Sequence, residues 1–332
     1  MFSPIDKKVH FVVGIGRSGT TLLSQLLNNH KDLYSMPEAT FMLFFMHHFK
    51  NKKSLSQNEI DLIFEQINLF SRSHPWVGWK FNPQFCRENL NNYLLNNSYN
   101  FIDICKIIYD SFEQNNTKIK NETSIFLDKN PSYTLYTDKI HKLTPDSKFV
   151  LIVRDFKSVI SSQVQSVYFK EKKVIFEAMR WKLFYEQALS SFKKNKIDYI
   201  LVKYENLVSY PEKELIRIFN FLGVEETIFP SIKMDFSFSE NENGISEKYK
   251  MRFNKKYGDL DKDIFHNRLN PWMDVLSKNE IDCCDCICAL TASKMGYKEN
   301  KTGIIKSFLI HFKYISPIIG AKILIRKNRI LY

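Results

Sequence analysis

VHFVVGIGRSGTTLLSQLL, residues 9–27, passes from five apolar, strand-prone residues through a glycine-rich turn into apolar residues at helical spacing. A strand, a glycine loop and a helix start in that order are where phosphate-binding loops sit. Gly14, Gly16 and Gly19 let the backbone turn closely around an oxyanion. The amides that open the following helix carry about half a positive charge. Arg17 adds a planar fork of donors, and Ser18, Thr20 and Thr21 add hydroxyls. The pattern GxxxxGK[ST] demands a lysine after the last glycine to reach β- and γ-phosphates, and that place holds Thr20. Residues Gly16–Thr21 are therefore candidate anion ligands for something other than a nucleoside triphosphate.

Outward from this loop, strand-like runs recur at Val9–Val13, Ser124–Leu127, Lys148–Val153 and Tyr199–Val202. Helical patterns at Leu22–Asn28, Ser158–Val167, Phe176–Lys193 and Glu212–Leu222 separate them. Alternation of this kind predicts crossover units and an α/β fold, a P-loop-like parallel sheet flanked by helices. The mainly helical stretch 41–121 reads as a cover inserted between the first and second core strands. Residues 236–270 are polar and lysine-rich and read as a loop that orders on binding. One domain over 1–300 is expected, followed by a basic amphipathic tail at 301–332. Such a tail either packs on its own domain or lies on an anionic membrane surface.

The second chemical signal is FVLIVRDFKSVISSQ, residues 149–163, in which an apolar strand ends and Arg154 follows. Open α/β sheets bind ligands at the carboxyl ends of their strands, so Arg154 stands where an anion is held. Ser158 and Ser162 share a helix face by their i,i+4 spacing, and Arg154 with Ser162 can converge on a second phosphate.

The chain has 332 residues, 44% of them hydrophobic, enough for a large core, and a formal charge of +12. That charge fits anionic partners, but the lysines are scattered, and a purely nucleic-acid- or membrane-binding protein leaves both anion motifs unexplained. The apolar run at the start is too short for a secretory leader, and no stretch reaches the roughly 18 apolar residues of a membrane span. A cytoplasmic protein is expected. Four of the six cysteines crowd into CCDCIC at 283–288, without CxxC spacing or a flanking histidine. Reduced cysteines on a partly buried helix explain them more simply than a metal site.

The two motifs together, GxxRSGTT after the first strand and VRD with a serine eight positions after the arginine, resemble those of the sulfotransferase family. The resemblance implies a sulfotransferase fold and 3′-phosphoadenosine 5′-phosphosulfate (PAPS) as donor, with adenosine 3′,5′-bisphosphate (PAP) as product. It assigns the 5′-phosphosulfate to Arg17–Thr21 and the 3′-phosphate to Arg154 with Ser162. PEAT at 37–40 and DKNP at 128–131 are similar to segments of protein-tyrosine sulfotransferases and related bacterial enzymes. By that correspondence Glu38 is the general base and Lys129 stabilises charge on the leaving side. A carboxylate suits the task, since it accepts a proton as an oxygen attacks sulfur and partial burial tunes it. Tyr204 in VKYENLV, and Ser246 with Lys248 in GISEKYK, resemble further donor contacts. Where protein-tyrosine sulfotransferases carry an extra arginine four residues after the serine of the second motif, this chain has Ser166.

Simpler readings stand beside these. Glu38 can merely cap the helix beginning near Thr40, and Lys129 can be an exposed residue before a proline turn. Tyr204 can be core packing. His30 suits a helix C-terminus, and His47 and His48 lie beside an aromatic run, so none is assigned chemistry. The aromatic stretches Phe41–Phe49 and Trp76–Phe81 can line an apolar acceptor pocket or simply pack. The acceptor is a hydroxyl on a carbohydrate, lipid-linked group, small molecule or tyrosine. Cationic side chains and amides neutralise the developing charge, so no metal is expected. The competing enzyme reading, a P-loop kinase, lacks its lysine at Thr20.

Overall fold

A computed structural model describes residues 3–36, 38, 41–52, 55–73, 83–94, 100–113, 123–165, 174–226, 272–298, 319–320 and 322–323. Among these residues are five short strands, four of them buried on both faces because their side chains alternate between two cores, the fifth only partly covered at the sheet edge. In β1 (Lys8–Val13), Val9, Phe11 and Val13 enter one core and Val12 enters the other. After α1 (Thr20–Leu27) comes β2 (Leu33–Ser35), followed by the helices α2 (Phe41–Phe49), α3 (Gln57–Ser73), α4 (Pro83–Leu94) and α5 (Phe101–Glu113). Then follow β3 (Ile125–Lys129), a 3-10 turn (Pro131–Leu135), α6 (Thr137–Leu143), β4 (Phe149–Val153), α7 (Phe156–Gln165) and α8 (Val174–Asn195). The described chain ends with β5 (Tyr199–Lys203), α9 (Tyr204–Ser209), α10 (Pro211–Leu222) and α11 (Lys278–Ser293).

All strand pairs are parallel, in the order β2-β3-β1-β4-β5. Leu22, Leu23, Leu26 and Leu27 of α1 share the smaller core with Leu215, Ile218, Phe219 and Leu222 of α10. The spacing of the α10 residues is the i, i+3, i+4, i+7 stripe of a surface helix. Gly223 ends that helix at φ +81°, its amide bonding the Phe219 carbonyl at 2.8 Å, a left-handed cap that a side chain would strain. The larger core holds α2 to α8 and α11 on the other face. A reciprocal capping box between Ser277 and Glu280 starts α11.

Two readings of the sequence are adjusted. A strand, β2, precedes the helical cover, so the cover enters between β2 and β3 rather than directly after the first strand. With three residues, β2 is too short for periodicity to reveal. The strand expected to stop at Leu127 runs on to Lys129 because β1 pairs with it as far as Val12↔Lys129. On α11, Cys283, Cys284 and Cys288 are buried. Burial pushes the thiol pKa of Cys284 and Cys288 up, holding both neutral. No cluster of metal-ligating side chains occurs among the described residues, and no helix among them is long and apolar enough to cross a membrane. The loop at 236–270 and nearly all of the tail lie outside the described residues.

Candidate active site

β1 and β4 are adjacent, and α1 after β1 packs into the smaller core whereas α7 after β4 packs into the larger one, so the chain exits to opposite faces there, the topology that leaves a crevice at the carboxyl ends of open α/β sheets. Around it the candidate residues line up in strand order. Glu38 lies three residues past β2, Lys129 ends β3, the glycine loop follows β1, Arg154 follows β4 and Tyr204 follows β5. With strands about 4.8 Å apart, the β3 and β4 ends flank the loop at a separation of about 10 Å.

The loop is held in an unusual conformation. Gly14 has φ +152°, and a Cβ there would collide with the Ile152 carbonyl of the neighbouring strand. Gly19 has φ +95° and abuts the Tyr204 ring, one edge carbon of which would be 2.9 Å from a Cβ. Arg17 has φ +76°, a left-handed conformation that costs a non-glycine residue about 1–2 kcal/mol. Its side chain is fixed: Nε donates to Ser162 Oγ at 2.8 Å. The loop backbone is pinned from three other elements. Gly14 N donates to Thr134 Oγ1 at 2.8 Å, Gln163 Nε2 donates to the Gly16 carbonyl at 3.0 Å, and Ile15 N reaches the Tyr185 phenol at 3.4 Å. The first amides of α1, beginning at Thr20, have no partner inside their own helix and open onto the crevice end of β1.

Ser18 behaves differently from its neighbours. It is fully buried, its amide donates to the Ile15 carbonyl at 3.1 Å and its hydroxyl lies 2.9 Å from the Tyr185 phenol. Thr20 is buried and Thr21 partly exposed at the start of α1.

Arg154 is buried with its guanidinium over the Tyr204 ring, 4.2 Å from the centroid, and NH1 3.5 Å from the Arg17 carbonyl. Tyr204 therefore supports both Arg154 and Gly19 from below. Arg154 and Ser162 both reach Arg17, so the second motif meets the loop directly. Asp155 turns away: its carboxylate caps α7 by accepting from Ser158 N at 3.0 Å, while its own amide donates to Glu205. Burial raises the Asp155 pKa.

Across the loop, Lys129 Nζ stands 3.5 Å from Glu38 Oε2, the lysine side chain 6% exposed and the carboxylate 28%. A buried cation thus faces a half-exposed carboxylate at the crevice. Behind them Asp128 is fully buried and accepts from the Tyr109 phenol at 2.6 Å. Burial pushes its pKa up to about 7, against the pull of the phenols and of Lys129.

His30 is buried and structural: Nδ1 accepts from Asp32 N at 3.1 Å, which leaves Nε2 to donate to the Glu225 carbonyl at 2.8 Å. His47 and His48 are exposed on α2, whose aromatic side chains pack into the core against Tyr109. Ser246, Lys248, Ser166 and Trp76–Phe81 lie outside the described residues. Sequence reading passed over Tyr185, Gln163, Thr134 and Asp128. A tyrosine inside a long helix carries no local signal, whereas Asp128 lay within the quoted DKNP segment.

A model described as the sulfotransferase family matches residues 10–228. A Caenorhabditis briggsae protein named "Putative protein-tyrosine sulfotransferase" is 28% identical over 138 residues, covering 36% of this chain and 49% of that protein. Its Caenorhabditis elegans counterpart of the same name is 27% identical over 138 residues, covering 36% and 52%. The chain thus spans about half the length of these curated relatives. Among solved structures, the sulfotransferase domain from the Synechococcus PCC 7002 olefin synthase superposes with a TM-score of 0.53 at 18% identity, over 95% of this chain and 98% of that one. That likeness is one of fold.

Proposed function

This chain belongs to the sulfotransferase family, and on that premise we propose that it transfers the sulfuryl group of PAPS to an acceptor hydroxyl, releasing PAP. The observation that carries the reading is the order of groups across the sheet: a carboxylate and a buried lysine on one side of an anion loop, a buried arginine on the other. The donor set fits a ligand with two separate phosphate groups. Amides at the start of α1 that have no acceptor within their own helix, with Arg17, Thr20 and Thr21, suit the 5′-phosphosulfate, and Arg154 with Ser162 suits the 3′-phosphate. With Thr20 in the lysine position, nothing in the loop reaches for a γ-phosphate.

PAPS supplies an electrophilic sulfur and a phosphate leaving group. Glu38 accepts the acceptor's hydroxyl proton as the new O–S bond forms. The S–O bond to the 5′-phosphate breaks and its electron pair stays on the phosphate oxygen, where Lys129 and Arg17 meet the growing charge. Lys129 stands beside Glu38 on the β3 side of the loop, the side this reading gives to the sulfur. Carbohydrate, lipid-linked, small-molecule and tyrosyl hydroxyls remain candidate acceptors, and the tail at 301–332 is a candidate membrane contact.

Titration with PAP and with Mg-ATP tests the donor. Tight PAP binding without a divalent cation is expected. Arg154→Ala should weaken it by about 1–3 kcal/mol, the worth of a charge-assisted contact. Preferential binding of Mg-ATP would overturn the assignment in favour of a kinase.

A further inference from the structure

We propose that Tyr185 is a positioning residue that sets the loop for donor binding, and that the Ser18 hydroxyl serves Tyr185 rather than the donor. The proposal deepens the sulfotransferase reading and rests on it. Tyr185 projects from α8, more than 160 residues along the chain from the loop, and is completely buried against Trp181, ring centroids 4.9 Å apart.

A phenol has one proton and two lone pairs. The Tyr185 hydroxyl lies 3.0 Å from the Ile152 carbonyl, 2.9 Å from Ser18 Oγ and 3.4 Å from Ile15 N. A carbonyl only accepts, so the phenol's proton goes to Ile152. An amide only donates, so Ile15 takes one lone pair. The remaining lone pair faces Ser18, which must therefore be the donor in that contact. With its amide on the Ile15 carbonyl as well, Ser18 has both its protons turned into the protein.

The geometry has a consequence for the two anion subsites. Ile152 stands two residues before Arg154 in β4, and Ile15 and Ser18 bracket the turn that carries Arg17. One phenol therefore ties the loop to the strand end that presents the arginine. Burial raises the Tyr185 pKa, so the phenol keeps the proton this arrangement requires. Gln163, fully covered on α7 and donating to the Gly16 carbonyl, ties the same loop to the helix that carries Ser162.

Tyr185→Phe keeps the ring packing and removes the hydroxyl, whereas Ser18→Ala removes only the donor to it. The test measures PAP affinity by calorimetry, donor KM and kcat, and the thermal midpoint, for both variants and the double variant. Tyr185→Phe is expected to weaken PAP binding and raise donor KM by about tenfold, with acceptor KM unchanged, because it leaves an amide, a carbonyl and a hydroxyl unpaired. Ser18→Ala is expected to cost less, and adding it to Tyr185→Phe is expected to cost nothing further. A Tyr185→Phe variant with a lowered midpoint but unaltered PAP affinity and donor KM would reduce Tyr185 to a packing residue. A full additional loss from Ser18→Ala in the Tyr185→Phe background would return the serine hydroxyl to the donor. If Tyr185→Phe does not fold, Ser18→Ala alone decides: a loss above tenfold marks a direct donor contact. Absence of PAP binding by the unaltered protein would instead strike the sulfotransferase reading itself.

Discussion

Glu38→Gln is expected to lower kcat for sulfuryl transfer by about 10²–10⁴, the span of general-base contributions, while PAP affinity stays within about twofold. Glutamine keeps the length and shape of the side chain but its amide does not accept a proton at neutral pH. The carboxylate stands beside Lys129 and apart from the groups assigned to the two phosphates, on the far side of β1 from Arg154. Its loss should therefore fall on the chemical step and spare donor binding. Transfer within tenfold of the unaltered rate would remove Glu38 as the base. A large loss of PAP affinity would mean instead that the carboxylate acts by holding Lys129 in place. Lys129→Met separates these outcomes, since a lysine acting on the leaving oxygen is felt in kcat as well, and its removal leaves Glu38 without the 3.5 Å neighbour.

The loop and the second motif were legible because their chemistry is local. Three glycines, an arginine and three hydroxyl residues between a strand and a helix read as an anion site from the local sequence alone. Arg154 was legible for the same reason, standing directly after an apolar strand. What the residues did not disclose was order across the sheet. The three residues of β2 carry too little periodicity to be seen, yet β2 pairs with β3 and sets the sequence of groups from Glu38 to Tyr204. Ser18 shows the same limit on a smaller scale. Its hydroxyl reads as a phosphate ligand beside Thr20 and Thr21, and the structure sets it 2.9 Å from the phenol of a tyrosine from α8 that helical periodicity marks only as core.

Asp128→Asn should change how stability depends on pH. In the unfolded chain this carboxyl ionises near its ordinary value of about 4. Folding buries it, and its pKa is pushed up to about 7. Between those limits the native state holds a proton that the unfolded state has released, so stability falls as pH rises through that window and levels off above it. From pH 5 to pH 8 this one group should cost the protein about 3 kcal/mol. Asparagine still accepts from the Tyr109 phenol. Its amide would occupy the place of the second carboxylate oxygen, which has no hydrogen-bond partner among the described residues, at a pH-independent cost of about 1–3 kcal/mol. The variant should therefore be the less stable protein at pH 5 and should draw level with the unaltered chain, or pass it, by pH 8. His10 works in the opposite direction, since burial lowers its pKa to about 4 and stability gained from it rises with pH below its ordinary value of 6.5. That contribution is common to both proteins and cancels in their difference. Denaturant midpoints of the two proteins compared from pH 5 to pH 8 decide the matter, and parallel curves would show that Asp128 is charged throughout the range. A charged Asp128 would also place a second carboxylate directly behind Lys129, and the lysine's charge would then be divided between Asp128, Glu38 and the leaving group.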